Sequence, residues 1–256
     1  MATIPFHTLW PSGNTTAIVE QPVSRQRQAA VARAIMQARP QIEQVGYIEP
    51  AQDSRAALRL QMMGGEFCGN AARAAAHFWA SRHGFGQVRI EVSGAVSVLT
   101  VETTPTTAKI VLPGDFFRRR QQVAEGCVVD LQGIRHVLVA DEAILRDATQ
   151  VIAKYSGDQP ALGVVYIQRA GALIKNRPRI WVRATNTCVD ETACGSGSIA
   201  AAIAAYDPAT DCRTFAVEQP SREICTVCLQ PAKAGFTSIS LSGIVKLLGQ
   251  DAVAVA

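Results

Sequence analysis

The sequence predicts an α+β fold built from two similar lobes. Many short strand-like runs with few long helices favour mixed lobes over a doubly wound parallel sheet. One succession of strands, helix, strands, cysteine-capped helix and strands occurs twice in the 256 residues, which indicates a duplication. We predict an N-terminal lobe over 1–114 and a C-terminal lobe over 115–243. A last strand at about 244–256 can return to the first lobe.

The N-terminal half contains two predicted helices. Apolar residues recur at helical spacing from Ser24 to Arg39, and Pro40 ends that run. A second helix follows Cys68 and reaches about His83. Alternating or β-branched runs bounded by turn residues predict the strands of this half, which span 4–10, 16–20, 44–49, 57–62, 87–92, 96–102 and 108–112.

The C-terminal half repeats this order. We predict one helix over about 142–155 and a second from Cys194 to about Tyr206. Its predicted strands span 127–131, 136–139, 162–168, 179–183, 213–218, 223–229 and 238–241, with the final segment from Ile244. A linker is expected near 113–122.

Composition narrows the function classes. The chain is 48% hydrophobic and 18% charged, which suits a globular protein and excludes a disordered one. The net charge of +4 is spread out, and its densest run, Arg118–Arg120, lacks interleaved aromatic residues. We interpret it as a solvated loop and expect no nucleic-acid partner. Neither a signal pattern nor a membrane-spanning run is present, so we expect a cytoplasmic protein.

The seven cysteines are expected to be reduced thiols, because an odd number without a secretory signal disfavours a disulfide framework. Cys225 and Cys228 form a Cys-x-x-Cys pair within a strand-like run. Side chains three apart on a strand point to opposite faces, and no second ligand pair with zinc spacing follows. We therefore predict no metal site.

Two short turns contain the most specific signal. Cys68-Gly69-Asn70 and Cys194-Gly195-Ser196 each precede an alanine-rich run. Alanine favours helix, and Ser, Asn and Gly favour helix starts, so each cysteine should lie at a helix N-terminus. The free N–H groups there stabilise a thiolate and can also hold a carboxylate.

A pair of such thiols fits one reaction in particular. Inverting a carbon next to a carboxylate needs a base on one face and an acid on the other, which two thiols supply without a cofactor. We predict Cys68 and Cys194 as these catalytic groups. The main chain of Gly69, Asn70, Gly195 and Ser196 would bind the substrate carboxylate. No Ser-His-Asp order, phosphate-binding loop, dinucleotide fingerprint or HExxH helix competes with this interpretation.

These turns resemble the cofactor-independent diaminopimelate epimerase superfamily, which pairs Cys-Gly-Asn with Ala-Cys-Gly-(Ser/Thr)-Gly at two helix starts. Gly13-Asn14 and Glu218-Gln219-Pro220 also match turns of that family. The resemblance spans nearly the whole chain. It implies two lobes, each a barrel-like sheet around a central helix, with the active site in the cleft between them.

Within that superfamily the similarity is greatest to the histidine racemases of opine-metallophore pathways. Pro11–Asn14, Glu43–Glu49 and Gly65–Ala71 look like that group, as do Cys194–Gly197 and Gln219-Pro220. The segments that grip the second amino-acid end of diaminopimelate are replaced here by 61–66 and 183–192. A substrate without that end is therefore expected.

The sequence thus predicts a pyridoxal-independent racemase that interconverts L- and D-histidine, with no cofactor and no metal. Asn14, Glu43, Asn70 and Glu191 are the candidates for polar substrate contacts, and Glu43 or Glu191 would hold the imidazole or the ammonium group. The partner is a small amino acid, with no nucleic acid or membrane involved, and a homodimer is a possible assembly. Alternatives are diaminopimelate epimerase, a racemase of another polar amino acid, a non-catalytic amino-acid-binding protein and a thiol-redox protein.

Overall fold

The computed structural model describes residues 2–255 of the chain. It is mostly β, with 47% strand and 22% helix. The strands are β1 Ala2–Pro11, β2 Thr16–Val19, β3 Gln44–Glu49, β4 Leu58–Met62, β5 Gln87–Val92, β6 Leu99–Thr103, β7 Thr107–Pro113, β8 Phe117–Val123, β9 Gly126–Leu131, β10 Ile134–Val139, β11 Ala161–Ala170, β12 Leu173–Val182, β13 Thr187–Asp190, β14 Thr214–Glu218, β15 Ile224–Pro231 and β16 Phe236–Val255. The helices are α1 Arg25–Ala38, α2 Gly69–His83, α3 Glu142–Arg146, α4 Ala148–Tyr155 and α5 Gly195–Ala205.

An eight-stranded barrel closes in the first part of the chain. Strands β1 to β7 are hydrogen-bonded neighbours in sequence order. The twenty-residue strand β16 closes the ring, because its first part pairs with β7 and its last part pairs with β1. Closure leaves the barrel part of the sheet without a free edge. Helix α2 packs against the strands of this barrel.

The remaining strands continue from the other edge of β16. Their order is β16, β15, β14, β12, β11, β10, β9 and β8, and β13 pairs with β12. Within residues 2–255 no pairing joins β8 back to β16, so this part of the sheet stays open. Helix α5 packs against β9, β10, β12 and β15. The cysteine ends of α2 and α5 therefore approach each other from the two parts of one sheet.

The predicted fold class was wrong. We expected an α+β protein of two similar lobes, each a barrel-like sheet around a central helix, but the chain is mostly β with one eight-stranded barrel. The physical reason is β16. The sequence predicted a strand over 238–241 and a separate final segment from Ile244, yet one strand continues through Gly243 and pairs with β15, β7 and β1. The division of the chain near residue 114 stays a prediction.

Some local elements also differ from expectation. The Arg118–Arg120 run is exposed as predicted, but it lies on strand β8 rather than in a loop. Strand β13 was missed, and the single helix expected over 142–155 is two helices that meet at Asp147. No helix within residues 2–255 is long and apolar enough to cross a membrane.

Small side chains let the two central helices lie close to the strands. Most residues of α2 and nearly all residues of α5 are buried, and each helix contains a run of three alanines, Ala74–Ala76 in α2 and Ala200–Ala202 in α5. Alanine combines high helix propensity with little bulk, so the helix backbone can approach the sheet. This packing holds the N-terminal turn of each helix in a defined place.

Candidate active site

Cys68 and Cys194 cap their helices with the same geometry. The φ and ψ angles are −130° and 111° at Cys68 and −130° and 109° at Cys194. Each sulfur accepts a hydrogen bond of 3.3 Å from the main-chain N–H three residues later, donated by Ala71 and Gly197 respectively. This is N-cap geometry with sulfur in place of the usual oxygen. The expectation that both cysteines lie at helix starts is confirmed.

The two helix starts touch each other. The Asn70 side-chain amide donates to the carbonyl oxygen of Ala193, 3.0 Å away, and so ties one cysteine turn to the other. Residue 195 has no space for a side chain, since a Cβ on Gly195 would lie 2.7 Å from Leu241 Cδ2 and 2.8 Å from Asn70 Oδ1. A glycine after Cys194 is therefore required for the close approach.

A cleft opens in front of these turns, and the space inside it and at its solvent-filled mouth is together about 430 Å³. Its lining combines both thiols, several carboxyl groups and one apolar wall: Glu43, Gln44, Met63, Glu66, Phe67, Cys68, Ile134, Ile180, Val182, Thr187, Val189, Glu191, Cys194, Gly195 and Ser196. Six of the nine predicted site residues lie on this lining. The other three, Asn14, Gly69 and Asn70, lie behind it.

Asn14 acts on the cleft through Glu43. Its amide nitrogen donates to Glu43 Oε2 at 2.8 Å, and the same oxygen accepts the N–H of Thr192 at 3.1 Å. The Thr192 hydroxyl donates to Glu43 Oε1. Thr16 in turn holds Asn14, because its hydroxyl donates to Asn14 Oδ1 at 2.8 Å. Three hydrogen bonds, one from Asn14 and two from Thr192, therefore hold the Glu43 carboxyl in place.

Three carboxyl groups share the cleft. Burial raises the pKa of Glu43 to about 7, against hydrogen bonds from Thr192 and Asn14 that lower it. Burial also raises the pKa of Glu66 to about 7, and Glu66 accepts the N–H of Gly64 at 2.8 Å. For Glu191, burial and the negative charge of Glu43 hold the pKa well above its usual range. A cationic ligand would favour the ionised form of all three.

Glu66 was missed by sequence reasoning. It is buried, it lines the cleft, and it stands two residues before the capping cysteine. Its position just before Cys68 was a signal, but a single carboxylate in a Gly-Gly-Glu-Phe turn is equally typical of the protein surface. Only the fold shows that this turn faces inward.

The comparisons with known proteins bear on this site. A family profile described as the histidine racemase CntK N-terminal domain matches residues 3–253. The chain belongs to the histidine racemase family. This membership confirms the prediction of an amino-acid racemase.

Curated relatives agree with that membership. A histidine racemase of Fusobacterium nucleatum is 28% identical over 217 residues, covering 77% of this chain and 78% of its own length. A histidine racemase of Staphylococcus aureus is 24% identical over 258 residues, covering 92% of this chain and 93% of its own length.

Solved structures show the fold of this racemase. A hydroxyproline epimerase from Agrobacterium vitis, solved with trans-4-hydroxy-L-proline bound, matches with a TM-score of 0.68 at 13% identity, covering 99% of this chain and 91% of that one. A phenazine biosynthesis protein of the PhzF family from Bacillus anthracis matches with a TM-score of 0.68 at 12% identity, covering all of both chains. The fold is thus that of proline racemase and PhzF proteins, which replaces the predicted arrangement.

The two thiols of the racemase cleft do not have the low pKa values that their helix positions predicted. Burial raises the pKa of Cys68, and the charge of Glu191 raises it further. The same two causes, in the same order, raise the pKa of Cys194. The N–H groups of the helix starts do lower both values, but they are outweighed. Our expectation considered the helix and omitted the carboxyl groups that face it.

Side chains around Cys194 make hydrogen bonds that sequence reasoning did not find. The Ser196 hydroxyl lies 3.6 Å from the Cys194 sulfur and 2.9 Å from Nε2 of His136 on β10. Gln219 Oε1 accepts the N–H of Cys194 at 3.0 Å. His136 carried no signal in the sequence, because a histidine in a strand is commonly a packing residue.

The remaining cysteines lie elsewhere. Cys225 is buried and Cys228 is half-buried on β15, and both are free thiols. Within residues 2–255 no group of three or more His, Cys, Asp or Glu side chains is arranged to hold a metal ion.

Proposed function

We propose that the protein interconverts L- and D-histidine by proton transfer at Cα between Cys68 and Cys194, without a cofactor. One observation carries the proposal. In a chain of the histidine racemase family, the two thiols cap helices whose N-terminal turns touch, and both line one cleft. A substrate carbon held there has a sulfur on each side.

The reaction needs one thiolate and one thiol. The thiolate takes the Cα proton, and the electron pair moves into the carboxylate to form an enolate-like intermediate. The opposite thiol then donates its proton to the other face and becomes the thiolate. In this proposal the main-chain N–H groups of Gly69, Asn70, Gly195 and Ser196 bind the carboxylate, whose negative charge grows in the transition state. The product leaves with inverted configuration, and proton exchange with water resets the thiols.

The carboxyl groups supply the counter-charge for the rest of the substrate. Glu43 and Glu191 hold the ammonium group and the imidazole ring in this proposal, and Glu66 joins them as a third anion. Asn14 holds Glu43 in place. Bringing a cation among the three carboxyls favours their ionised forms. Substrate binding and the release of protons are therefore coupled.

The character of the cleft favours histidine over diaminopimelate. Its apolar wall is formed by Phe67, Ile134, Ile180, Val182 and Val189, a suitable surface for a flat aromatic ring. The described residues of the lining include neither lysine nor arginine. The second carboxylate of diaminopimelate would therefore lie among carboxyl groups without a cationic partner, which is unfavourable.

Solvent exchange tests the proposal. The enzyme is incubated in heavy water with histidine, diaminopimelate and a panel of polar amino acids, and deuterium at Cα is followed by proton NMR. We expect exchange and inversion with histidine. Exchange with diaminopimelate or another amino acid alone would replace the substrate assignment. If no amino acid exchanges, the racemase mechanism fails.

Cysteine variants separate the mechanism from its rivals. Cys68→Ser and Cys194→Ser should each reduce racemisation by about 10³-fold, because serine is a far weaker acid and base at this position. Ligand affinity that is unchanged in both variants, with no turnover in the parent, would indicate a binding protein. A disulfide between Cys68 and Cys194 that forms in each turnover would indicate redox chemistry.

The proposal includes two properties of the whole protein. A cytoplasmic location agrees with seven free cysteines, which a reducing compartment would preserve. The possible homodimer is tested by sedimentation of the native chain over a range of concentrations. A single monomeric species at every concentration would exclude it.

A further inference from the structure

A chain of hydrogen bonds leads away from the Cys194 sulfur into the protein. Ser196 Oγ lies 3.6 Å from that sulfur, and His136 Nε2 lies 2.9 Å from the same oxygen. Ser196 is 3% exposed and His136 is fully buried. The histidine does not line the cleft. It touches the proposed base only through the serine.

The surroundings of His136 fix which proton it carries. Among the described residues, its Nδ1 has no hydrogen-bond partner. That nitrogen lies against the backbone of Gly163, the residue opposite His136 on β11, and a side chain at Gly163 would collide with it. Burial lowers the pKa of His136 to about 3, so the ring is neutral and holds one N–H. A buried N–H without an acceptor is rarer than an unpaired acceptor, which places the proton on Nε2.

The direction of the chain follows from that tautomer. With its proton on Nε2, His136 donates to Ser196 Oγ. The hydroxyl proton of Ser196 is then free to point at the sulfur of Cys194. Together with the N–H of Gly197, it gives this sulfur two donors. Donors of this kind stabilise the charged form of an acid.

The equivalent position beside Cys68 works differently. Asn70 stands two residues after Cys68, as Ser196 stands two residues after Cys194. The Asn70 amide donates to Ala193 O at 3.0 Å, and its oxygen accepts from Arg73 at 2.8 Å. Its side chain is thus used to join the helix starts. Cys68 is left with main-chain donors alone.

We propose that His136 orients the Ser196 hydroxyl as a donor to Cys194, so that the two residues act as positioning residues which stabilise the thiolate of Cys194 but not that of Cys68. The proposal rests on the two-thiol function, in which Cys194 must serve as a base in one direction. It adds to that function a group outside the cleft that sets the balance between the thiols.

The charges around Cys194 show why such a donor is useful. Glu191 lies within hydrogen-bonding reach of its sulfur, and Cys68 faces it across the cleft. Both groups disfavour a thiolate at Cys194. Cys194 is also buried, whereas Cys68 is half-buried, and burial disfavours a thiolate as well. Racemisation has an equilibrium constant of one and uses each thiol as the base in one direction. A hydrogen-bond donor to the thiol that ionises less readily therefore brings the pKa values of the two thiols closer together.

Alkylation of the ligand-free enzyme measures the two thiolates separately. Iodoacetamide reacts with the thiolate, so the rate at each cysteine, read by peptide mass spectrometry from about pH 6 to about pH 10, follows its own ionisation. Access changes the absolute rate but not its pH dependence. In Ser196→Ala we expect Cys194 to react about tenfold more slowly at pH values below the midpoint of its titration, because its thiolate loses one hydrogen-bond donor. Cys68 should be unchanged.

Histidine variants test the orienting role. His136→Phe should lower the alkylation rate of Cys194, but by less than Ser196→Ala does. His136→Gln, whose amide can donate to Ser196, should restore part of that rate. His77→Phe is the matched control, since His77 is also buried with an unpartnered Nδ1 but contacts Pro105 instead of a cysteine turn. It should leave both thiols unchanged.

Two results would overturn the proposal. One is an unchanged pH dependence of Cys194 in Ser196→Ala, which keeps the rest of the helix start intact. The other is an equal shift of Cys68 and Cys194, which would indicate a general disturbance of the cleft. The readout needs no turnover, so a lack of histidine racemisation with the expected alkylation pattern would refute the proposed function and leave this inference standing.

Discussion

Gly195 lies directly against Asn70, at the point where the two cysteine-capped helices meet. A Cβ on Gly195 would lie 2.8 Å from Asn70 Oδ1 and 3.3 Å from Asn70 N. The contact joins residues 125 positions apart in the chain and, with the hydrogen bond from Asn70 to Ala193 O, holds the two helix starts together. In the proposed mechanism, a change that pushes these turns apart moves one thiol away from the substrate carbon.

Gly195→Ala tests this contact. The new methyl group would also meet Leu241 Cδ2 at 2.7 Å, so the start of α5 must shift. Because a displacement of about 1 Å costs about 10²-fold in rate, we expect racemisation to fall by that order while the fold persists. Optical rotation of L-histidine measures the rate.

Gly69→Ala is the matched comparison for that variant. Its Cβ would lie 3.2 Å from Leu241 Cδ2 and farther from every other atom, so a small side-chain movement makes room. A smaller loss of activity is expected. Equal losses in the two variants would show that close approach at Gly195 has no special role.

Asn70→Asp tests the link between the helix starts. The replacement keeps the shape and can still accept from Arg73, but it removes the amide donor to Ala193 O and adds a negative charge beside the thiols. We expect racemisation to fall by about 10²-fold and the free energy of unfolding by about 1–3 kcal/mol. Urea unfolding and racemisation rates measure both. A variant with normal stability and normal activity would contradict the role given to Asn70.

The sequence predicted the local part of the site well, and physics explains why. A cysteine before an alanine-rich run is a local pattern, so the caps at Cys68 and Cys194 could be recognised from neighbouring residues alone. The fold class depended on β16, whose pairing with β1, β7 and β15 joins residues far apart in the chain. No local pattern contains that information.

The same limit explains the residues that were missed. The roles of Glu66 and His136 depend on residues that face them across the cleft or across the sheet. Spacing along the chain does not show those contacts. For the same reason, the predicted direction of the pKa shift of the two thiols was wrong. Helix ends can be predicted locally, whereas the burial and the Glu191 charge that outweigh them are products of the fold.

Glu66 makes the stability of the ligand-free protein depend on pH. Its pKa is about 7 in the folded state, above its usual 4.5. A carboxyl whose folded pKa is raised stabilises the fold fully below pH 4.5, and this contribution is lost as the pH rises towards 7. Glu66→Gln removes the titration but can still accept the N–H of Gly64. Relative to the parent, we expect this variant to gain roughly 2.5 kcal/mol in unfolding free energy between about pH 5 and about pH 8.

Urea unfolding at these two pH values measures the effect. Glu125→Gln is the control, because Lys154 and Tyr155 lower the pKa of the half-buried Glu125 to about 2. That residue is ionised throughout the range, so its variant should differ from the parent by the same amount at both pH values. A Glu66→Gln variant that behaves in this pH-independent way would show that Glu66 is ionised in the folded protein.

The central claim is that one thiol removes the Cα proton and the other returns a different one. The most direct measurement starts from protiated L-histidine in heavy water and analyses both enantiomers at low conversion by chiral separation and mass spectrometry. With Cys68 and Cys194 on opposite faces, the D-histidine formed should contain one deuterium at Cα while the remaining L-histidine contains none. Deuterium in the remaining L-histidine at a rate equal to product formation, or protium retained in the product, would contradict the two-thiol account.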